Sequence, residues 1–165
     1  MKVYNLYRKQ ILKVTLEEAW DFFSTPKNLD EITPDDMSFQ ILEGSNESMF
    51  AGQIIRYKIK PVANIPLSWV TEITQCQPKK YFIDEQRFGP YKFWHHMHRF
   101  TEIEEGVLME DILHYALPLG WLGGLVAGGF VENKVENIFT YRFEVLDKLF
   151  NKKAAKNFKL KQSIA

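Results

Sequence analysis

Six stretches between residues 38 and 117 carry apolar residues in the manner of β-strands: SFQILE (38–43), GQIIRYKIKP (52–61), LSWVTEITQCQ (67–77), KYFIDEQRF (80–88), YKFWHHMHRFTEI (91–103) and VLMEDILHYAL (107–117). Each is rich in aromatic or β-branched residues and is bounded by Gly, Pro or a short polar turn. Tight connections between them predict an antiparallel meander. A further strand is expected over 3–14. It is followed by Thr15-Leu16-Glu17-Glu18, a capping box in which Thr15 and Glu18 satisfy each other's backbone amides. The helix so opened should end near Ser24. Thr25-Pro26 starts a second short helix, running to about Ile32.

The period changes after residue 130. Val131, Val135, Ile138, Phe139, Val145, Leu146 and Leu149 fall on one helical face, with Glu136, Asn137, Thr140, Glu144 and Asp147 opposite. The predicted order is strand, two short helices, six strands and one long carboxy-terminal helix, an α+β arrangement with an antiparallel sheet of about seven strands. Arg142 lies near the centre of the apolar stripe. A guanidinium keeps its charge at any ordinary pH, so there it needs an anion: Glu85, Glu110, Asp111 or an anionic group of a ligand. Snorkelling to solvent is the plainer alternative.

This order resembles the helix-grip fold of the START-like or SRPBCC superfamily over roughly residues 2–150. Two stretches sharpen the resemblance. GPYKFWHHMHRF (89–100) and LMEDILHYALPLGWLGGLVAG (108–128) are similar to a subgroup with a W-x-H-x-H-x-F strand followed by a D-x-(I/V)-x-Y-x-L-P strand. The resemblance implies an apolar cavity between sheet and long helix, in which members carry lipids, hormones or polyketides, or catalyse cyclisation or hydrolysis. It implies no agreed chemistry for the two motifs. The chain has His114 where such sequences often have an acid, so no acid role carries over to that position.

Three of the four histidines lie between Trp94 and Phe100. On a strand, Trp94, His96, His98 and Phe100 share one face, and Tyr91, Phe93, His95, Met97 and Arg99 the other. The first face, with the indole and no Lys or Arg, is expected to point inward. A three-residue turn at Glu104-Glu105-Gly106, with Gly left-handed, would pair Ile103 with Val107, Arg99 with Asp111 and His96 with His114. Trp94, His96, His98, Phe100, Ile112, His114 and Arg142 are then the candidate ligand-binding residues. His96, His98 and His114 could together hold a zinc ion. However, His96 and His98 are spaced about 7 Å along the strand, and no carboxylate is forced into the set. No metal, cofactor or catalytic residue is therefore assigned. Neutral histidines satisfied within an aromatic wall remain the plain alternative.

Composition narrows the remaining options. Apolar residues make up 45% of the 165 and aromatics 15%, enough for a packed core in a single domain over 1–150. Twenty-one basic residues cancel twenty-one acidic ones, which argues against a nucleic-acid partner held by a net basic field. The single cysteine, Cys76, excludes an internal disulfide and suits a reducing compartment. The amino terminus is too polar for a signal peptide, so a cytoplasmic setting is expected. The apolar stretch 116–130 is too short and Gly-rich to span a membrane; its glycine-rich part, 120–129, reads as the link into the long helix and a lid beside the cavity mouth. Residues 151–165 form a basic tail. There is no Walker loop, G-x-G-x-x-G or G-x-S-x-G.

The leading expectation is therefore a protein that binds or carries a small hydrophobic or amphipathic molecule. The alternatives are a cyclase, dehydratase or hydrolase using a cavity histidine as base, and an interaction module, including a homodimer, that docks through the apolar outer sheet face or the lysine tail.

Overall fold

The computed structural model describes residues 2–44, 48–60, 65–118 and 125–152. Seven strands form one antiparallel sheet: β1 (Tyr4–Leu12), β2 (Gln40–Glu43), β3 (Ile54–Ile59), β4 (Leu67–Gln77), β5 (Tyr81–Phe88), β6 (Phe93–Ile103) and β7 (Gly106–Ala116). Their spatial order is β1-β7-β6-β5-β4-β3-β2, so five hairpin-connected pairs make a meander and β1 returns to its far edge. Helix α1 (Leu16–Phe23) follows β1, and α2 (Leu125–Leu146) lies across the sheet and widens into a π-helical turn at Asp147–Lys152.

The capping box forms as the sequence implies: the Glu18 amide donates to Thr15 Oγ1 at 3.2 Å and the Thr15 amide to Glu18 Oε2 at 2.9 Å. The expected second helix shrinks to a 3₁₀ turn at Pro26–Leu29, with another at Asp35–Met37. The Asn28 side chain donates to the Phe22 carbonyl, tying this turn to the end of α1. Of the link and lid expected over 120–129, residues 125–129 belong to α2, and of the tail expected over 151–165, residues 151–152 end the π-helical turn; 120–124 and 153–165 lie outside the described residues.

Apolar burial organises the interior in two clusters. One joins α1 to the sheet through Trp20, Phe23, Ile73, Phe82 and Phe100. The other packs Val135 and Phe139 of α2 on Leu6, Leu113 and Tyr115. Each fully buried side chain of this kind contributes about 1.5–3 kcal/mol relative to exposure. The space that the two clusters leave between α2 and the middle of the sheet is the cavity described below.

The β6–β7 register corrects the expected one. Ile103 pairs with Gly106 across the two-residue turn Glu104-Glu105, not with Val107 across three. Side chains alternate with period two, so one residue of slip moves a whole strand to its opposite face. Arg99 therefore meets Glu110, with two hydrogen bonds of 2.7 Å, while Asp111 points inward opposite His98. His114 and Ile112 leave the predicted site for the outer face, where His114 pairs with His95. Gly106 begins β7 at φ +134°, and a Cβ there would meet the Leu12 carbonyl oxygen at 2.2 Å.

Gly106→Ala should therefore lower unfolding free energy by about 2 kcal/mol or more, through both the positive φ and the clash with β1. Urea denaturation of the two proteins is the check, and a change under about 0.5 kcal/mol would show that the turn does not depend on glycine.

Candidate functional site

Strands β5, β6 and β7 bring four titratable side chains to the inner face. Asp84 sits opposite His96 on the neighbouring strand, and Asp111 sits opposite His98. Each carboxylate is thus one position from the other histidine along the diagonal, within side-chain reach. Asp84 Oδ2 lies 3.0 Å from His98 Nε2 and 3.3 Å from His96 Nδ1. Asp111 Oδ1 lies 2.9 Å from His96 Nε2 and 3.0 Å from His98 Nδ1. The result is a closed ring of two imidazoles and two carboxylates, with the histidine rings 3.8 Å apart between centroids. His98 Nδ1 is not aligned for a hydrogen bond despite its short distance to Asp111.

The surroundings hold the ring in place. Trp94 Nε1 donates to Asp84 Oδ1 at 3.1 Å, leaving Oδ2 to face the histidines. His98 stacks on Phe82 with centroids 4.3 Å apart, and His96 meets Phe139 of α2 edge-on. Arg142 reaches Asp111 Oδ1 at 3.5 Å and lies over the Phe139 ring, while its Nε has no partner among the described residues. The anion that the sequence demanded for Arg142 is thus Asp111, one of the three acids proposed.

Charge dominates the titration of this group. Burial works to raise the Asp84 carboxyl, but the positive charge of His96 and hydrogen bonds from both histidines hold it well below the usual carboxylate range. Asp111 is likewise raised by burial and lowered further by the hydrogen bond from His96, the adjacent His98 imidazole and the charge of Arg142. Burial opposes a charge on His96, yet the two carboxylates outweigh it and raise its pKa. With both histidines neutral, two carboxylates and one guanidinium leave a net negative charge, which a proton or another cation must offset.

Asp84, His96, His98 and Arg142 form one polar patch on a cavity of about 340 Å³. The rest of the wall is mostly apolar and aromatic, including Phe39, Ile55, Trp69, Tyr91 and Ile138, with Thr25, Asn28, Thr33, Thr71 and Lys134 at scattered points. Ile65 and Phe130 line the cavity while remaining half-exposed, which places them at its opening. A second polar spot lies on β3 and β4. Trp69 Nε1 donates to Thr71 Oγ1 at 3.0 Å, and the Tyr57 and Thr71 hydroxyls share a hydrogen bond of 2.9 Å. Three donor hydrogens serve two bonds, so one hydroxyl hydrogen is left for another acceptor. Burial and the nearby Asp84 charge raise the Tyr57 pKa, so this phenol keeps its proton.

Of the seven predicted site residues, Trp94, His96, His98 and Arg142 line the cavity. Phe100 points inward but packs under α1, away from the cavity wall. Ile112 and His114 face outward, as the register requires. Tyr91 was expected on the outer face; β6 begins only at Phe93, and Gln86 brackets the Tyr91 backbone with two hydrogen bonds so that its ring turns inward. Sequence reasoning missed Asp84, Tyr57, Thr71 and Trp69. The alternation of Phe82 and Asp84 with Ile83 put Asp84 on the Phe82 face, but only the β5–β6 pairing sets it against His96.

The sheet wrapped on α2 is a helix-grip fold. No protein-family model matches the chain, and neither does any curated protein sequence. Solved structures do. The chain is similar to TTHA0849 from Thermus thermophilus at a TM-score of 0.69 and 13% identity, covering 88% of this chain and 95% of that one. It is similar to the ZhuI aromatase/cyclase of Streptomyces sp. R1128 at 0.67 and 15%, covering 88% and 92%. It is also similar to ginseng major latex-like protein 151 from Panax ginseng at 0.64 and 13%, covering 90% and 97%. At such identities the likeness is one of fold. No helix among the described residues is long and apolar enough to cross a membrane.

Removing one member of the ring should be costly in proportion to the partners it strands. Asp111→Asn leaves His96, His98 and Arg142 without their shared anion and is expected to cost about 3–5 kcal/mol. Arg142→Met strands only one longer contact and is expected to cost under about 2 kcal/mol. Urea denaturation in the presence of a chelator gives both values, and the reverse order would contradict this account of the ring.

Proposed function

We propose that this chain binds a small, mostly apolar molecule with an oxygen-bearing end, held between the sheet and α2. The observation that carries the reading is the cavity itself: its volume falls in the range of small-molecule sites, and its few polar groups sit at separate points of an apolar wall. A ligand hydroxyl can donate to the Asp84 carboxylate, and a ligand carbonyl can accept the spare Tyr57 or Thr71 hydrogen. Trp94 and Tyr91 offer flat apolar surface beside Asp84. The aromatase/cyclase and latex-like neighbours share this fold and support a cavity ligand of that general kind.

The reading extends to membership of the W-x-H-x-H-x-F subgroup, a single ligand-binding domain over 1–150, and a cytoplasmic setting suited to the lone Cys76. An enzyme using a cavity histidine as general base ranks second. A base needs a ring nitrogen lone pair aimed at its substrate, and both nitrogens of His96 and of His98 face carboxylates instead.

Native mass spectrometry of the purified protein, followed by denaturation and organic extraction, is the direct test. The expected result is an organic mass released on unfolding. The apo protein should also take up the amphiphilic dye 1-anilinonaphthalene-8-sulfonate, and Val131→Trp, on the cavity wall, should weaken uptake about tenfold, or 1.4 kcal/mol. A clean apo mass together with no dye binding would sink the carrier reading.

A further inference from the structure

The ring of histidines and carboxylates has two sides that differ. Asp84, His96 and His98 line the cavity, whereas Asp111 lies behind them, lining only a narrow crevice on the β1 side together with Arg142. On the cavity side, three potential ligand groups converge: Asp84, His96 and His98 each bring one ligand atom within 4.8 Å of the other two, and Asp84 Oδ2 faces His98 Nε2 and His96 Nδ1. Two of the separations are 3.0 and 3.3 Å. Ligand atoms bonded at about 2.0–2.1 Å to one ion, at octahedral or tetrahedral angles, stand about 2.8–3.4 Å apart.

We propose that Asp84, His96 and His98 form a binding site for one divalent first-row transition-metal ion, with zinc as the reference case. The inference goes beyond the ligand-binding reading and stands whether or not the cavity holds an organic molecule.

Three further features support it. First, the nitrogen that each histidine turns away from Asp84 faces Asp111, at 2.9 Å for His96 and 3.0 Å for His98. A carboxylate behind a ligating imidazole is the usual device for fixing its tautomer and orientation, and here one carboxylate serves both rings. The would-be ligand Asp84 is itself held by the Trp94 indole at its other oxygen.

Second, the metal-free arrangement is poorly resolved as hydrogen bonding. Of the two ring nitrogens facing Asp84 Oδ2 only His98 Nε2 is in hydrogen-bond geometry, and His98 Nδ1 is buried without an aligned partner. An ion between the three atoms turns both cavity-side nitrogens into lone-pair donors. The Nδ1 of His98 and the Nε2 of His96 then carry the protons toward Asp111.

Third, the charge count asks for a cation. Asp84 and Asp111 against Arg142 leave one negative charge when the histidines are neutral, the protonation state that ligation requires. Two imidazoles and a carboxylate suit zinc, cobalt(II) or ferrous ion better than calcium or magnesium, which prefer all-oxygen shells. Three protein ligands leave at least one coordination position, and it opens on the cavity, where a water or a ligand oxygen would complete the shell.

The experiment uses the full chain with any affinity tag removed, stripped with a chelator and titrated with zinc and, separately, cobalt(II). One equivalent of each is expected, tighter than about 10 µM, with a rise in Tm on zinc addition. Cobalt should give d–d absorption bands. Asp84→Asn and His98→Gln should weaken zinc by about 100-fold or more, and Asp111→Asn by about 10–100-fold. His95→Gln and His114→Gln, on the outer face, should leave the affinity unchanged. Less than about 0.1 equivalent of zinc and cobalt bound by the unsubstituted protein at 100 µM free metal overturns the proposal. So does binding that survives both cavity substitutions or is lost with the outer histidines. Circular dichroism identifies any variant that fails to fold, and the unsubstituted titration then decides. An organic mass or dye uptake with no metal uptake in the titration overturns this site and leaves the carrier reading intact; metal uptake with neither an organic mass nor dye binding does the reverse.

Discussion

A buried charge must find its counter-charge, and in this molecule that requirement ties the centre of the sheet to the long helix. Arg142 comes from α2, Asp111 from β7, His96 and His98 from β6, and Asp84 from β5. None of the three fully inward members, His96, His98 and Asp111, is satisfied without at least one other element in its place. The ring therefore demands one register on both sides of β6. A slip of one residue at either hairpin would turn a carboxylate outward, leaving the imidazoles one of their two anions and, at β6–β7, the Arg142 guanidinium without its own. Apolar packing alone discriminates less sharply, because neighbouring aliphatic side chains can exchange roles at modest cost.

The same register explains why much of the architecture was legible in the sequence and part of the site was not. Local signals carried the strands, the Thr15–Glu18 capping box and the helical face of Val135, Phe139 and Leu146, since each is written within a few residues. The burial of Arg142 was legible for the same reason: its angular position follows from helical period alone. The inward face of β6 was legible from the contrast between Trp94, His96, His98, Phe100 and a face bearing Arg99. Partnerships across strands were harder. Glu104-Glu105-Gly106 suits either a two-residue or a three-residue turn, and that single difference decides whether Asp111 or His114 lies on the inner face of the sheet. Asp84 depends on a still longer connection through Gly89 and Pro90. Tyr91 was misplaced because a side chain, Gln86, ends the strand pattern before period two would.

Aromatic residues give the cavity its shape. Trp69 stacks on Tyr57 and meets Trp94 and Tyr91 edge-on, so four large rings brace one another along the wall. Rings in such contact are rigid and resist the collapse that would otherwise close an empty apolar space. Phe22, Phe23 and Phe150 do similar work where α1 meets the end of α2, keeping the helix off the sheet. The walls are therefore held apart by side chains that fill volume elsewhere, and the cavity is a consequence of how the large residues are distributed rather than of missing ones.

Structural need alone does not account for the composition of the polar patch. If β5, β6, β7 and α2 needed only to be joined, aliphatic side chains of similar volume would do so without desolvating four or five ionisable groups, and replacements of that kind are often neutral or stabilising. A cluster placed for cohesion would also belong in the densest part of the core, among Leu113, Val107 and Ile73. Instead Asp84, His96, His98 and Arg142 stand at the boundary of the cavity, with Asp111 behind them in contact with both histidines and the guanidinium. That asymmetry, cavity-facing groups backed by a buried carboxylate, is how proteins hold a small set of side chains in one orientation toward something that is not part of the chain. The fold provides the chamber, and the β5–β6–β7 register decides which chemistry faces into it.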